Sequence, residues 1–376
     1  AFIMFFRFAF GDAHARIFRP KVLLIFLRYI VGFYLLLLSL LMNSIIPLYG
    51  VILGIFAYVV WSVFKNYRYV RDVKAFFILP LLQTVSDTAV LLGTTLGLTR
   101  SISLKNIISI IKNNKSIAIL ISLYVASMIL FIDWGIPNPN HPFNYFMDEW
   151  HQAQSVRNVF SEGSPNVSGS ANGSMFHFFL SGIYLVPFIA VGILNPLLIK
   201  SSIDSLEMQQ KLFEVLRLNT LFFGVLSIIL IAYIAKKYFK WNPFLTTFLF
   251  VVNPIFLTLS NYFKYDIALI FWIIISFLFL LKYSLKSNSV NLFLSAFFSG
   301  IALSVKLSAI PLLPIFISTF LLFNINRKKY FGELIVGILV FIFTFLLFGI
   351  PDLILGKGNI TEYLYDNLIR APSHVQ

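Results

Sequence analysis

Eleven long apolar stretches dominate this chain of 376 residues. A membrane-spanning helix needs about 20 mainly apolar residues, and most of the stretches approach that length. Only 12% of the residues are charged, whereas soluble domains carry about 25%. The sequence therefore excludes an ordinary soluble enzyme and predicts an all-α polytopic membrane protein with about 9–11 apolar helices. The stretches are 22–41, 46–64, 76–98, 116–134, 176–198, 218–235, 243–262, 267–281, 290–304, 308–324 and 332–350.

The net charge of +14, from 29 Lys and Arg against 15 Asp and Glu, is an orientation signal. Cytoplasmic loops of membrane proteins are rich in Lys and Arg, so the charge requires no nucleic-acid partner. We predict a multi-pass protein of the cell (plasma) membrane. The loops placed inside by this rule are 105–115, 236–240, 282–286 and 327–329. The segments placed outside are 133–217, 263–267, 305–307 and 351–376, which hold eleven of the 15 acids.

The stretch 76–98 conflicts with a simple alternation of sides. Residues 65–74 and 100–115 are both basic and should both lie inside, yet one apolar stretch separates them. That stretch contains Pro80 and Asp87. We therefore favour a re-entrant or interfacial helix here over a failure of the charge rule.

The stretch 176–198 is likewise predicted not to cross, because both of its neighbouring loops are assigned to the outside. Pro187 and Pro196 favour a bent helix at the outer interface. The preceding loop, 161–174, is rich in Ser, Gly and Asn and is predicted to be mobile.

Three regions follow from these patterns. Residues 1–100 form a membrane block, residues 101–115 a basic cytoplasmic linker, and residues 116–376 a second membrane block with a large outer loop. Cysteine is absent, which excludes disulfides, thiolate metal sites and cysteine nucleophiles.

The strongest candidate for chemistry is NYFMDEWHQAQSVRNVF, residues 144–160. Asp148 and Glu149 begin what reads as a short amphipathic helix, with His151 beside them. Carboxylates at a helix N-terminus are stabilised as anions, and a carboxylate at the membrane surface can act as a general base toward a hydroxyl group. Simple capping of the helix is the alternative interpretation.

The second candidate is NYFKYDIALIF, residues 261–271, in which Lys264 and Asp266 lie at the outer end of a stretch. Asp266 is either an interface residue or a second carboxylate that converges on Asp148. Two acids from distant outer loops could position an acceptor or a metal.

Two further cations are candidate ligands of a lipid phosphate. Lys306 interrupts two apolar runs with no acid nearby in the sequence, and intramembrane ionisable residues are functional candidates. Arg217 opens another apolar stretch. For both residues the alternative is a side chain that extends to the headgroups without a specific role.

The remaining sequence gives no sign of a cofactor. The histidines have no HxxxH or HExxH spacing, and no Walker A, GxGxxG or GxSxG motif occurs. We predict no zinc site and no bound cofactor; a divalent metal is possible but not indicated.

Taken together, residues 116–376 resemble the GT-C membrane glycosyltransferases, nearest the protein O-mannosyltransferase and aminoarabinose-transferase branch. The resemblance rests on the order of MDEWHQAQSVRNVF, NGSMFHFFLSGIYL, RLNTLFFGVLSI, NPIFLTLSNYFKYDIALIF and GIALSVKLSAIPLLP. Where that family often has a Pro-Pro-Leu-like sequence, this chain reads GSMFHFF.

This resemblance implies a GT-C-like fold whose large first outer loop contains juxtamembrane helices. It implies a polyprenyl-phosphate sugar as donor, a protein, lipid or glycan as acceptor, and an active site on the extracytoplasmic side. Asp148 would be the catalytic base, with Glu149 and Asp266 as further catalytic acids. Lys306, Lys264, Arg217 and His151 would bind substrate.

Residues 1–100 resemble the membrane tail of family-2 glycosyltransferases, in FGDAHARIFRPK and LPLLQTVSDTAVLLG. The nucleotide-sugar domain and DxD motif of those enzymes are absent from this sequence. The first residue is not Met, and the sequence stops at APSHVQ inside a predicted outer loop. These features predict a piece of a longer protein, which could make a lipid-linked sugar inside and use it outside.

Two other classes remain open. A transporter or lipid-linked-sugar flippase predicts charges at mid-membrane depth, and a non-catalytic subunit predicts that Asp148 and Asp266 lie far apart. Carboxylates within about 10–12 Å across a shared cavity, a spacing chosen for a sugar-sized pocket, would favour the enzyme.

Overall fold

The computed structural model describes residues 2–15, 17, 19–41, 45–101, 114–161, 175–195, 205–286, 288–324 and 331–350. Across those ranges the chain forms fourteen α-helices and no β-strand, apart from one isolated bridge. Several predicted features lie outside the described residues: most of the basic linker, the loop 162–174, the cations 327–329 and the tail 351–376. The predicted all-α polytopic membrane fold is confirmed.

The chain divides into two compact units, Ala1–Ser109 and Ile110–Gln376. The first contains α1 (Phe2–His14), α2 (Pro20–Leu41), α3 (Ile46–Val70) and α4 (Ala75–Ser101). The second contains α5 (Lys115–Leu130), α6 (Met147–Ser161), α7 (Met175–Ala190), α8 (Leu206–Ile234), α9 (Pro243–Val251), α10 (Pro254–Ser260), α11 (Tyr265–Lys286), α12 (Ser289–Val305), α13 (Leu312–Asn324) and α14 (Phe331–Gly349).

The apolar helices differ in length. Within the described ranges, five are long and apolar enough to cross a membrane, a sixth span arises if a bent pair is counted as one, and five more are apolar but shorter. The α7 helix belongs to the shorter group, and its predicted interfacial position stays a prediction. The five long spans are Leu48–Tyr67, Ala75–Gly97, Leu206–Phe239, Tyr265–Leu285 and Phe331–Gly349.

The apolar stretch 243–262 is not one continuous helix. The chain bends by 64° between α9 and α10. Asn253 caps the second helix, its side chain accepting bonds from two backbone N–H groups, and Pro254 occupies the first helical position. Pro has no N–H to continue the preceding helix, so an Asn-Pro pair ends one helix and begins the next.

The stretch 76–98 is part of α4, one continuous helix of 27 residues with Pro80 inside it. It contains no turn of the kind that a re-entrant loop needs, and its interfacial position stays a prediction. Thr84 donates to the carbonyl of Pro80 at 2.9 Å. Proline at this position removes one backbone hydrogen bond, but the helix continues beyond it to Ser101. The basic segment 65–74 and residues 100–101 therefore lie at opposite ends of one helix.

Small residues bring α1 and α4 of the first unit into close contact. A Cβ atom added at Gly93 or at Gly97 would lie 2.5 Å from a backbone carbonyl of α1, that of Phe6 or Phe10 respectively. Only glycine allows this approach. Small residues spaced by four are a common way for apolar helices to pack in a membrane.

A polar cluster joins α2, α3 and α4 of this unit. Asp87, near the middle of α4, is only 1% exposed. It accepts hydrogen bonds from Arg28 of α2 and from the Tyr58 hydroxyl of α3, the latter at 2.7 Å. Gln83 donates to its other oxygen at 3.0 Å. The cluster therefore satisfies a buried carboxylate with one partner from each neighbouring helix.

In the second unit, α11 and α12 form an antiparallel hairpin that positions the candidate site. The hydroxyl of Ser276 on α11 lies 2.6 Å from that of Ser299 and 3.1 Å from the carbonyl oxygen of Ser295, both on α12. Hydroxyl groups hold apolar helices together in this way. Because the two helices have similar lengths, the start of α11 lies beside the end of α12.

Candidate functional site

Four of the residues singled out in the sequence lie in one alternating row of charges, which we call the charged row. Asp148 Oδ2 is 2.7 Å from Lys264 Nζ. The same ammonium group lies 3.7 Å from Asp266 Oδ2, and Asp266 Oδ1 is 2.8 Å from Lys306 Nζ. Three segments that are far apart in the sequence thus meet at one place.

Helix ends create the charged row. Asp148 and Asp266 lie in the first turns of α6 and α11, where unpaired N–H groups favour negative charge. Lys306 directly follows the last residue of α12, where the carbonyl ends favour positive charge. The two acids and Lys306 are therefore at helix termini that stabilise them, whereas Lys264 precedes the N-terminus of α11 and is stabilised by its two carboxylate partners. The position of Asp148 in the first turn is also compatible with the alternative of simple helix capping.

Access to the charged row is uneven. The side chain of Asp148 is 65% exposed, whereas that of Asp266 is 15% exposed. Lys264 and Lys306 are 17% and 33% exposed. Asp148 is the carboxylate that an incoming hydroxyl group could reach most easily.

Lys264 is held in its charged form. Burial by itself lowers its pKa, but the hydrogen bond to Asp148 and the negative charges of Asp266 and Asp148 outweigh burial and raise the pKa above 10.5. A raised lysine pKa stabilises the fold below the ordinary value, and this stabilisation is lost only as the pH rises through the raised value. Lys264 in the charged row is therefore protonated at neutral pH.

Beneath the charged row lies a buried ion pair. Glu149 Oε1 and Oε2 accept bonds from Arg217 Nε at 2.8 Å and Nη2 at 2.7 Å. The side chains are 0% and 3% exposed. Arg217 Nη1 also donates to the carbonyls of Ile132 and Trp134, at 2.7 and 2.8 Å.

This pairing argues against the direct substrate contacts predicted for Glu149 and Arg217. Four of the five N–H donors of a guanidinium group have protein partners here. A bidentate pair with this burial is a structural clamp. The sequence pattern had suggested that Arg217 binds a phosphate, because it could not reveal that Arg217 and Glu149 are partners.

The clamp extends to the loop before α11. The backbone N–H of Phe263 donates to Glu149 Oε1 at 2.7 Å, and that of Tyr265 donates to Gln152 Oε1 at 3.0 Å. The residues on both sides of Lys264 are therefore fixed to α6. The sequence reasoning missed Gln152, although it follows Glu149 by three residues and so shares its helix face.

His151 lies outside the charged row. Its side chain is exposed, and its ring makes an edge contact with Trp150 at 5.1 Å between centroids. Its predicted role in binding substrate stays a prediction. Near the site, Phe146 stacks on Tyr262 at 4.2 Å between ring centroids, which ties the segment before α6 to the loop before α11.

The distance part of the criterion for an enzyme is met, and the shared cavity that the criterion also requires stays a prediction. Because Asp148 and Asp266 bind the same ammonium group, their carboxylates are far closer than about 10–12 Å. A separation onto different faces, expected of a non-catalytic subunit, does not occur. The shared cavity is a separate matter, since one described cavity, of about 250 Å³, lies elsewhere, against Pro254, Ile255, Thr258 and Leu259.

Within the described ranges, no group of three or more His, Asp or Glu side chains is placed to hold a metal ion. The charged row instead pairs each of its carboxylates with an ammonium group.

Residues 205–349 match the family model of the dolichyl-phosphate-mannose-protein mannosyltransferases. The match supports a membrane glycosyltransferase that uses a polyprenyl-phosphate sugar. It spans α8 to α14 and less than half of the chain, and it includes three members of the charged row but not Asp148. No curated protein and no solved structure matches the chain significantly.

Proposed function

We propose that this protein transfers a sugar from a polyprenyl phosphate to a hydroxyl acceptor at the outer face of the cell membrane, with inversion at the sugar carbon. The observation that carries the proposal is the charged row, in which Asp148 is accessible and binds Lys264, while Lys306 binds the neighbouring Asp266. The family match over residues 205–349 supports the class of donor.

Asp148 is the general base in this proposal. The acceptor oxygen attacks C1 of the sugar as its proton passes to Asp148, and the bond between C1 and the phosphate oxygen breaks. The electron pair of that bond leaves with the lipid phosphate. Because attack and departure occur on opposite faces, the configuration at C1 inverts. The phosphate ester supplies the activation, so the step requires no nucleotide.

The two lysines stabilise the leaving group. Negative charge on the phosphate grows as the bond to C1 breaks, so a fixed cation favours the transition state over the ground state. We assign this role to Lys306 and Lys264 and not to Arg217, because Arg217 is bound in a buried ion pair with Glu149. Glu149 and Arg217 act by holding α6 against the loop that carries Lys264.

A donor assay tests the proposal. We expect the purified protein in detergent to transfer radiolabelled sugar from a polyprenyl-phosphate sugar to an acceptor mixture prepared from its host membranes. A nucleotide sugar supplied alone should give no product, because the proposed donor is lipid-linked and the sequence has no DxD motif of the kind that nucleotide-sugar enzymes use. Transfer from the nucleotide sugar without lipid donor would overturn the proposal.

Replacing Lys306 with methionine should lower kcat/KM for the lipid donor about 10- to 100-fold, the range for losing one charge-assisted hydrogen bond. Initial rates over a range of donor concentrations measure the change. Lys306→Arg keeps the charge and should recover part of the loss.

The matched control for that variant is Lys236→Met. Lys236 is exposed and lies 19 residues beyond Arg217 in the sequence, roughly 28 Å along a helix. It should leave the rate unchanged. Equal effects of both methionine variants would remove the assignment of Lys306.

A lipid-linked-sugar flippase is the second candidate, and the cluster around Asp87 is the observation that favours it. This carboxylate lies near the middle of α4, with Arg28 as its partner. Charges at mid-membrane depth are typical of transport pathways. The donor assay separates the two classes, since a flippase forms no glycosylated product in detergent solution.

A further inference from the structure

In the charged row, the proposed base Asp148 is already paired with a cation. Asp148 Oδ2 accepts a hydrogen bond from Lys264 Nζ at 2.7 Å. A carboxylate that is paired with an ammonium group is a weaker proton acceptor than a free one, because the cation stabilises its charged form. Asp148 must lose this partner, or share it, before it can take a proton from a hydroxyl group efficiently.

The charge balance indicates what could remove the partner. Two carboxylates share two ammonium groups, so the charged row is neutral as it stands. The phosphodiester of an incoming donor brings one negative charge and two non-bridging oxygen acceptors. Two cations must then be divided among three anions.

Asp148 is the anion that loses its cation most easily. Its side chain is 65% exposed, so water can replace the ammonium group at little cost. Asp266 is 15% exposed and keeps Lys306 at 2.8 Å. A less exposed carboxylate suffers more from the loss of its partner.

Only the side chain of Lys264 is free to respond. The backbone N–H groups of both neighbouring residues, Phe263 and Tyr265, are bonded to Glu149 and Gln152 of α6. A lysine side chain has four rotatable methylene groups and three donors, so its ammonium group can turn from one acceptor to another while the loop stays in place.

We infer that Lys264 couples donor binding to activation of the base: the phosphate of the lipid donor takes the ammonium group from Asp148 and so frees the carboxylate to accept a proton. This inference rests on the proposed function. It makes the site dormant without donor and requires the donor to bind before the acceptor is deprotonated.

Binding measurements without turnover test this coupling. The probe is a short-chain polyprenyl phosphate that carries no sugar, titrated into the purified full chain. Competition between Asp148 and the phosphate for Lys264 predicts that Asp148→Asn binds the probe about three- to fivefold more tightly, the range for losing one exposed ion pair. Lys264→Gln should bind it about tenfold more weakly.

The double variant distinguishes competition from simple repulsion. In the Lys264→Gln background, Asp148→Asn should change the dissociation constant by less than about 1.5-fold, because no ammonium group remains to be released. Asp133→Asn is the matched control, since Asp133 is an exposed carboxylate of the same outer segment, and it should leave the dissociation constant unchanged.

Two results would overturn the inference while leaving the proposed function intact: no tightening in Asp148→Asn, or the same tightening with and without Lys264. If the wild-type protein does not bind the probe at all, the proposed donor site and the inference both fail. The donor assay with the sugar-bearing lipid then reports on the transferase activity independently.

Discussion

Asp148→Asn should reduce sugar transfer by about 10²- to 10⁴-fold, the contribution typical of a general base. Asparagine keeps the size and the hydrogen-bonding oxygen of the side chain but cannot take the acceptor's proton. The rate of product formation from a lipid-linked sugar, with donor and acceptor both saturating, measures the loss. Donor affinity should not fall, because the lysines that meet the phosphate remain.

Stability measurements show whether the loss is chemical. Asp148 is mostly exposed, so its replacement should leave thermal unfolding in detergent close to that of the wild type. Asp133→Asn changes another exposed carboxylate of the same segment and should retain full activity. Normal transfer by Asp148→Asn would show that another group removes the proton.

Breaking the buried pair should have the largest effect on the fold. Arg217→Met leaves Glu149, which is 0% exposed, without its cation, and removal of one partner from a buried pair costs about 3–5 kcal/mol. The carbonyls of Ile132 and Trp134 lose their donor as well. We expect a clear decrease in the midpoint of thermal unfolding in detergent, together with loss of transfer.

The double variant Glu149→Met/Arg217→Met should be less destabilised than the two single variants combined, because it leaves no unpaired charge. Glu207→Gln is the matched control on the same helix. It breaks an exposed pair in which Lys211 Nζ is 2.6 Å from the carboxylate, and it should not shift the midpoint. A normal midpoint for Arg217→Met would contradict the clamp.

The residues of the candidate site were largely predictable, because polar side chains are rare in an apolar chain. Lys306 interrupts a long apolar stretch, and Asp148 and Asp266 open helices, so hydropathy alone singled them out. The convergence of Asp148 and Asp266 was one of two open alternatives. Their contact through Lys264 depends on how α6 lies against the loop before α11, which no local pattern specifies.

The main differences between the hydropathy pattern and the structure concern breaks in helices. A hydropathy pattern registers apolar content, and therefore did not separate α9 from α10. The Asn-Pro pair at residues 253–254 carries the signal for that break, since it combines a helix cap with a residue that cannot continue the preceding helix. Pro80 had favoured a re-entrant or interfacial helix, yet it lies inside the continuous helix α4.

The sequence by itself determined that this protein resides in a membrane and that it is helical. Its apolar stretches are long enough to span, and the backbone N–H and C=O groups of such stretches must bond to each other, which a helix achieves. Only the tertiary structure decided which charges are partners. It buried Glu149 with Arg217 as a clamp and left Asp148 accessible at the end of the charged row. The two acids are adjacent in sequence, but successive residues of a helix point in different directions, and the neighbours they meet come from distant segments.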